Sequence, residues 1–107
     1  MKTGNLFDEI PESLPTELTQ FLLTATTFRI ERIVSKGHQS PPDFWYDQDE
    51  HEWVLLIAGE ARLRFKDDDR VVQLGAGMYL NIPAHVQHRV DWTVEDQETI
   101  WLAVFYR

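Results

Sequence analysis

Cysteine is absent from the 107-residue chain. A disulfide framework, a thiolate zinc site and a cysteine nucleophile are thereby excluded. Basic residues are scarce: ten Lys and Arg stand against 18 Asp and Glu, a formal net charge of −8. That imbalance repels phosphate backbones and anionic lipid, so neither nucleic acid nor a membrane is expected as a partner. No apolar run approaches the length of a membrane span, and Met1 to Ile10 lacks the apolar segment of a signal peptide. The expected location is the cytoplasm. Internal repeats and low-complexity tracts are missing as well.

What is present is enough for one core. Hydrophobic residues make up 43% of the chain and aromatic ones 12%, with four tryptophans, which argues against disorder. The length fits a single domain and leaves no room for two independent cores.

Residues 1–15 carry Pro11, Pro15 and several acidic groups, with Leu6, Phe7 and Ile10 as apolar anchors. They read as an arm lying over a domain of residues 16–107. Pro15 is compatible with the opening of a short helix. The run from Phe21 to Ala25 leads into a threonine-rich turn, however, and suits a strand better.

Beyond that point the pattern is β. Phe28, Ile30 and Arg32 alternate with Arg29, Glu31 and Ile33. Ala61, Leu63 and Phe65 alternate with charged neighbours, the period-2 signature of a strand with one buried face. Asp67-Asp68-Asp69 marks a turn before Val71 to Leu74. His88, Val90 and Trp92 fall on one face of the next strand, and Ile100 to Tyr106 forms a long apolar strand at the end. Pro41 and Pro42 lack the donor that a central strand needs, so Lys36 to Phe44 reads as a loop. Short strands at such regular spacing predict an all-β sandwich or barrel.

Two segments narrow this to a family. Glu52 is separated by six residues from Gly59. Gly77 is separated by five from Pro83, and His88 stands five positions beyond that proline. Both frames resemble the paired motifs of the cupin superfamily, over roughly residues 36–107. The resemblance implies an antiparallel double-stranded β-helix, a jelly-roll-like barrel, with a pocket inside it. It also implies a homodimer. The local chemistry agrees with the frames: Gly59 and Gly77 permit the positive φ of tight turns, and Pro83 ends a strand ahead of His88.

The sequence departs from the pattern at one place. Cupins that bind metal usually carry two histidines, one residue apart, shortly before the glutamate. Here those positions hold Tyr46 and Gln48, or Trp45 and Asp47 in the longer spacing. Only Glu52 and His88 remain of the usual ligand set. A phenol of ordinary pKa near 10 and a neutral amide are weak substitutes for imidazoles.

The expected pocket is lined by Tyr46, Gln48, Glu52 and His88, with Val54, Leu63, Phe65 and Val90 as its apolar wall. Trp45, Tyr46, Gln48 and His88 are the expected ligand contacts. Glu52 and His88 are the candidate acid/base pair, since their ordinary pKa values lie on either side of pH 5. Glu52, His88 and Gln48 are the residues that would hold a divalent metal, which is left open as a cofactor. Asp47, Tyr46 and His51 are alternative third ligands. His51 is expected to face away from Glu52, His85 to lie at the surface or the pocket rim, and His38 has no evident partner.

The function expected from these residues is binding of a small polar or anionic molecule. A metal-dependent oxygenase or isomerase and a non-catalytic dimeric scaffold are the alternatives. Trp53, Trp101 and Phe105 either cover a second layer of the barrel or form an apolar contact patch for the dimer.

Overall fold

A computed structural model describes all of residues 1–107 and contains eight strands and no helix. They are β1 (Leu18–Thr24), β2 (Phe28–Ser35), β3 (His51–Ala58), β4 (Glu60–Phe65), β5 (Val71–Gly75), β6 (Tyr79–Ile82), β7 (His88–Thr93) and β8 (Thr99–Tyr106). They form a five-stranded sheet in the order β1-β2-β8-β3-β6 and a three-stranded sheet in the order β5-β4-β7. Every pairing is antiparallel. The two sheets close on each other as a jelly-roll barrel, the fold that the sequence frames imply. No helix exists that is long and apolar enough to cross a membrane.

The strand alternation puts one face of each sheet inside. Val54, Leu56, Ala61, Leu63, Leu74, Ile82, Trp101, Ala103 and Phe105 make one buried cluster. Leu56 and Leu74 are almost fully enclosed. Gly59, at φ 89°, turns the chain from β3 into β4 against Thr99. An added side chain there would strike the Thr99 backbone and hydroxyl. Gly77 also has φ 89°, and Pro83 follows the end of β6.

Three expectations need correction. Trp101 and Phe105 are not surface residues, being 5% and 6% exposed. They project into the barrel from β8, which is hydrogen-bonded on both sides, and the Trp101 Nε1 donates to Ser35 Oγ at 3.2 Å. They cannot form a dimer patch. Trp53, by contrast, is half-buried and lies beside Tyr79, with ring centroids 5.6 Å apart.

Trp92 does not share the face of His88 and Val90. The register of β4 against β7 shifts: Arg62 and Leu63, which are adjacent, pair with Trp92 and Val90. This bulge at Asp91 turns Trp92 outward under the Arg62 guanidinium, 4.9 Å from the ring. Thr93, 1% exposed, takes the inward place opposite Ala61.

Finally, Phe65 packs against the core and the His88 ring without lining the pocket.

The N-terminal residues 1–17 contain no strand. They are held by Arg32, which is only 4% exposed and has no carboxylate partner. Its guanidinium donates to the carbonyls of Leu6 and Asp8 and to the Gln20 side chain. Satisfying a buried cation with carbonyls in this way makes the arm part of the barrel's outer wall. His38 also has a partner. Its Nδ1 accepts from the Lys36 amide, so Nε2 carries the proton and donates to the Leu14 carbonyl at 2.9 Å.

Candidate functional site

One end of the barrel interior is not filled by side chains. It encloses a cavity of about 230 Å³. The polar part of its lining is Glu17, Thr19, Arg29, Glu31, Tyr46, Gln48, Glu52 and His88. The apolar part includes Val54, Leu63, Val90, Ile33 and Trp101.

Each polar group is placed by an identifiable piece of backbone. Glu52 lies on β3, opposite Ile82 of β6 and Phe105 of β8. His88 opens β7 opposite Phe65. An isolated antiparallel bridge links His88 to Tyr46, with Tyr46 N donating to His88 O at 2.7 Å and His88 N to Tyr46 O at 3.2 Å. The His85 amide donates to the Gln48 carbonyl at 2.7 Å. The loop ahead of β3 is thus pinned across the start of β7, and the Tyr46 ring stacks on the His88 ring at 5.4 Å.

His88 and Glu52 form the centre of the cluster. His88 Nδ1 lies 2.9 Å from the Val86 carbonyl, which can only accept, so Nδ1 is protonated. Its Nε2 faces Glu52 Oε1 at 3.6 Å, and Gln48 Nε2 donates to the same oxygen at 3.1 Å. Burial by itself lowers the His88 pKa. The attraction of Glu52 and the hydrogen bond to the Val86 carbonyl outweigh it, and His88 is raised above an ordinary histidine. Burial also raises the Tyr46 phenol, assisted by the charges of Glu17 and Glu52, so Tyr46 stays neutral.

The remaining expected residues lie elsewhere. Trp45 does not line the cavity; Lys66 Nζ sits over its ring at 5.8 Å. Asp47 points to the rim, where it takes a 2.9 Å contact from His85 Nδ1 and a weaker one from Gln87. His85 is exposed and holds φ at 66°, a left-handed conformation that glycine adopts more easily. His51 turns away from Glu52. Its Nδ1 accepts from the Ala84 amide, and its ring lies against Tyr106.

These positions bear on metal binding. No three carboxylate or imidazole side chains come close enough together to share an ion. Glu52 and His88 are two donors, Gln48 is neutral and already hydrogen-bonded to Glu52, and Asp47 and His51 are engaged outside the cavity. The donor set does not fit a metal centre built on three protein ligands.

Three charged lining residues were not anticipated. Arg29 and Glu31 reach the cavity from β2 and pair at 2.6 Å, and Arg29 also binds Glu50. The signal was in the strand itself: Arg29, Glu31 and Ile33 share a face, and charged residues also occur on the opposite one. Glu17, just ahead of β1, left no such signal. Its carboxylate accepts from Ser35 Oγ at 2.8 Å. Burial raises its pKa, outweighing the opposing Ser35 hydrogen bond and nearby His38. Glu17, Tyr46 and Val90 also border a second hollow of about 300 Å³ beneath the Pro41 loop.

The cupin-domain family model matches residues 31–105. Among solved structures, a Ralstonia eutropha protein provisionally named a mannose-6-phosphate isomerase is 42% identical, with a TM-score of 0.95. The match covers 99% of this chain and 98% of that one. The polyketide cyclase RemF of Streptomyces resistomycificus is 20% identical, with a TM-score of 0.77, over 99% of this chain and 79% of that one. A cupin superfamily protein of Desulfitobacterium hafniense is 19% identical, with a TM-score of 0.73, over 91% and 83%. No curated protein matches in sequence. With the barrel, both glycine turns and the family match in agreement, the chain belongs to the cupin superfamily.

Proposed function

We propose that this cupin binds a small polar organic molecule in the barrel cavity, with the Glu52–His88 pair as its hydrogen-bonding and proton-exchanging centre. The observation that carries the reading is the convergence of that pair, Tyr46 and Gln48 on one cavity with an apolar floor. An imidazole held in one tautomer beside a carboxylate can donate to a ligand oxygen or take a proton from it.

The polar class is favoured over the anionic one. A phosphorylated sugar, the substrate named for the Ralstonia relative, would bring a dianion into the cavity. The one guanidinium lining it is already bound by Glu31 and Glu50. Glu17 and Glu52 would repel the phosphate. A metal-dependent oxygenase or isomerase reading has no third strong ligand to rest on.

Ligand-observed NMR with the uncharged probe cyclohexane-1,2-diol tests the reading. Saturation transfer from the protein is expected, and it should be lost in Val90→Phe and in Ile33→Phe, each of which narrows the cavity from a different strand. Transfer that survives both variants would place binding outside the barrel and refute the proposal.

A further inference from the structure

Resting on the cavity reading above, we infer that the ligand is an amine, its ammonium group held between the carboxylates of Glu17 and Glu52 against the aromatic side of the cavity.

The argument starts from charge. Four carboxylates meet at or beside the cavity: Glu17, Glu31, Glu50 and Glu52. Against them stand one guanidinium and one imidazole, Arg29 and His88. Arg29 is shared by Glu31 and Glu50, and His88 answers Glu52. Even with His88 protonated, these ionised groups carry a net excess of two negative charges.

Glu17 is where the surplus is local. Its carboxylate takes a hydrogen bond from Ser35 and forms no ion pair. A largely desolvated carboxylate in that position binds either a proton or a cation. Its raised pKa is the first of those responses. An ammonium group entering the cavity would supply the second.

The kind of cation follows from the walls. A metal ion needs three close donors, and the cavity does not assemble them. An organic ammonium needs fewer polar contacts and gains from apolar and aromatic surface. The cavity already stabilises a cation in this way: the Arg29 guanidinium lies 4.2 Å above the Phe105 ring while paired with Glu31. Leu63, Val54 and Trp101 offer the carbon skeleton an apolar floor.

Three probes on one ring separate the cases: cyclohexane-1,2-diol, 2-aminocyclohexanol and 2-hydroxycyclohexanecarboxylate, titrated at pH 7 in low salt. The amino alcohol is expected to bind about tenfold or more tightly than the diol, the scale of one charge-assisted contact. Added salt should narrow that ratio. The hydroxy acid should show no saturable binding.

Glu17→Gln keeps an acceptor for Ser35, and in it the ratio of amino alcohol to diol affinity should fall toward one. Glu52→Gln gives the same readout if Glu17→Gln does not fold by circular dichroism. Equal affinity for diol and amino alcohol, tighter binding of the hydroxy acid, or a ratio unchanged in both variants would overturn the inference and leave the cavity reading standing. Absence of binding by every probe would refute the cavity reading itself.

Discussion

Along the inward face of β3, Glu52, Val54 and Leu56 pass from a partly buried carboxylate to a leucine that is 1% exposed. Neighbouring strands repeat the gradient. Arg29, Glu31 and Ile33 of β2 pair across β8 with Phe105, Ala103 and Trp101, which in turn pair with Glu52, Val54 and Leu56. One end of the barrel is therefore a packed core and the other a polar cavity, built from the same strands with the same two-residue period. The difference lies in which residue type stands at each inward position. Apolar positions close the end near Leu56 and Leu74. Paired charges hold the other end open, because ionised groups keep hydrogen-bonding partners and access to water.

The sharpest way to break the closed end is Gly59→Val. The residue sits at φ 89°, and a side chain there would collide with Thr99. Strain and steric conflict together should cost roughly 2–6 kcal/mol, read as a lower midpoint in urea denaturation. A midpoint within error of the parent would show that the turn is not tight.

Changes at the open end should act on binding more than on stability. Zn²⁺ titrated into chelator-treated protein is expected to bind in the micromolar range or weaker. Tyr46→His combined with Gln48→His adds two imidazoles on residues that already line the cavity with Glu52 and His88. Affinity measured by calorimetry should rise by at least an order of magnitude. Metal retained by the parent through dialysis against chelator would reveal a third strong ligand. No gain in the double variant would mean that the two side chains do not converge with Glu52 and His88.

The smallest effect is the pH dependence of the open end. His88 is raised in the folded chain, so its protonated form favours folding. That contribution is complete below the ordinary histidine pKa of about 6.5 and is lost as pH rises through the higher folded value. Thermal stability should therefore decline between weakly acidic and weakly alkaline pH. In His88→Gln the decline should flatten, and an unchanged slope would assign the titration to another group.

Much of this organisation is legible in the sequence, and the reasons are local. Ala61, Leu63 and Phe65 alternate with charged residues, and Gly59, Gly77 and Pro83 mark turns and a strand end at positions that require them. Glu52 and His88 are legible because their spacing from those glycines and that proline resembles the cupin motifs. Trp92 misleads because a bulge at Asp91 changes its face, and strict alternation carries no sign of a bulge. Trp101 and Phe105 mislead because an uninterrupted apolar strand such as Ile100 to Tyr106 does not declare which of its faces is inside.

The sequence by itself determined the all-β pattern and the exclusion of cysteine chemistry, which follow from composition and periodicity. The pairing of Glu52 with His88 in one pocket was what the resemblance to the cupin motifs implied. Only the tertiary structure decided that Arg29, Glu31 and Glu17 join them and that Asp47 and His51 do not. Those facts depend on which strands meet across the barrel. β2 reaches the cavity only because it pairs with β8, some 70 residues away in the chain, and no local pattern encodes so distant a contact.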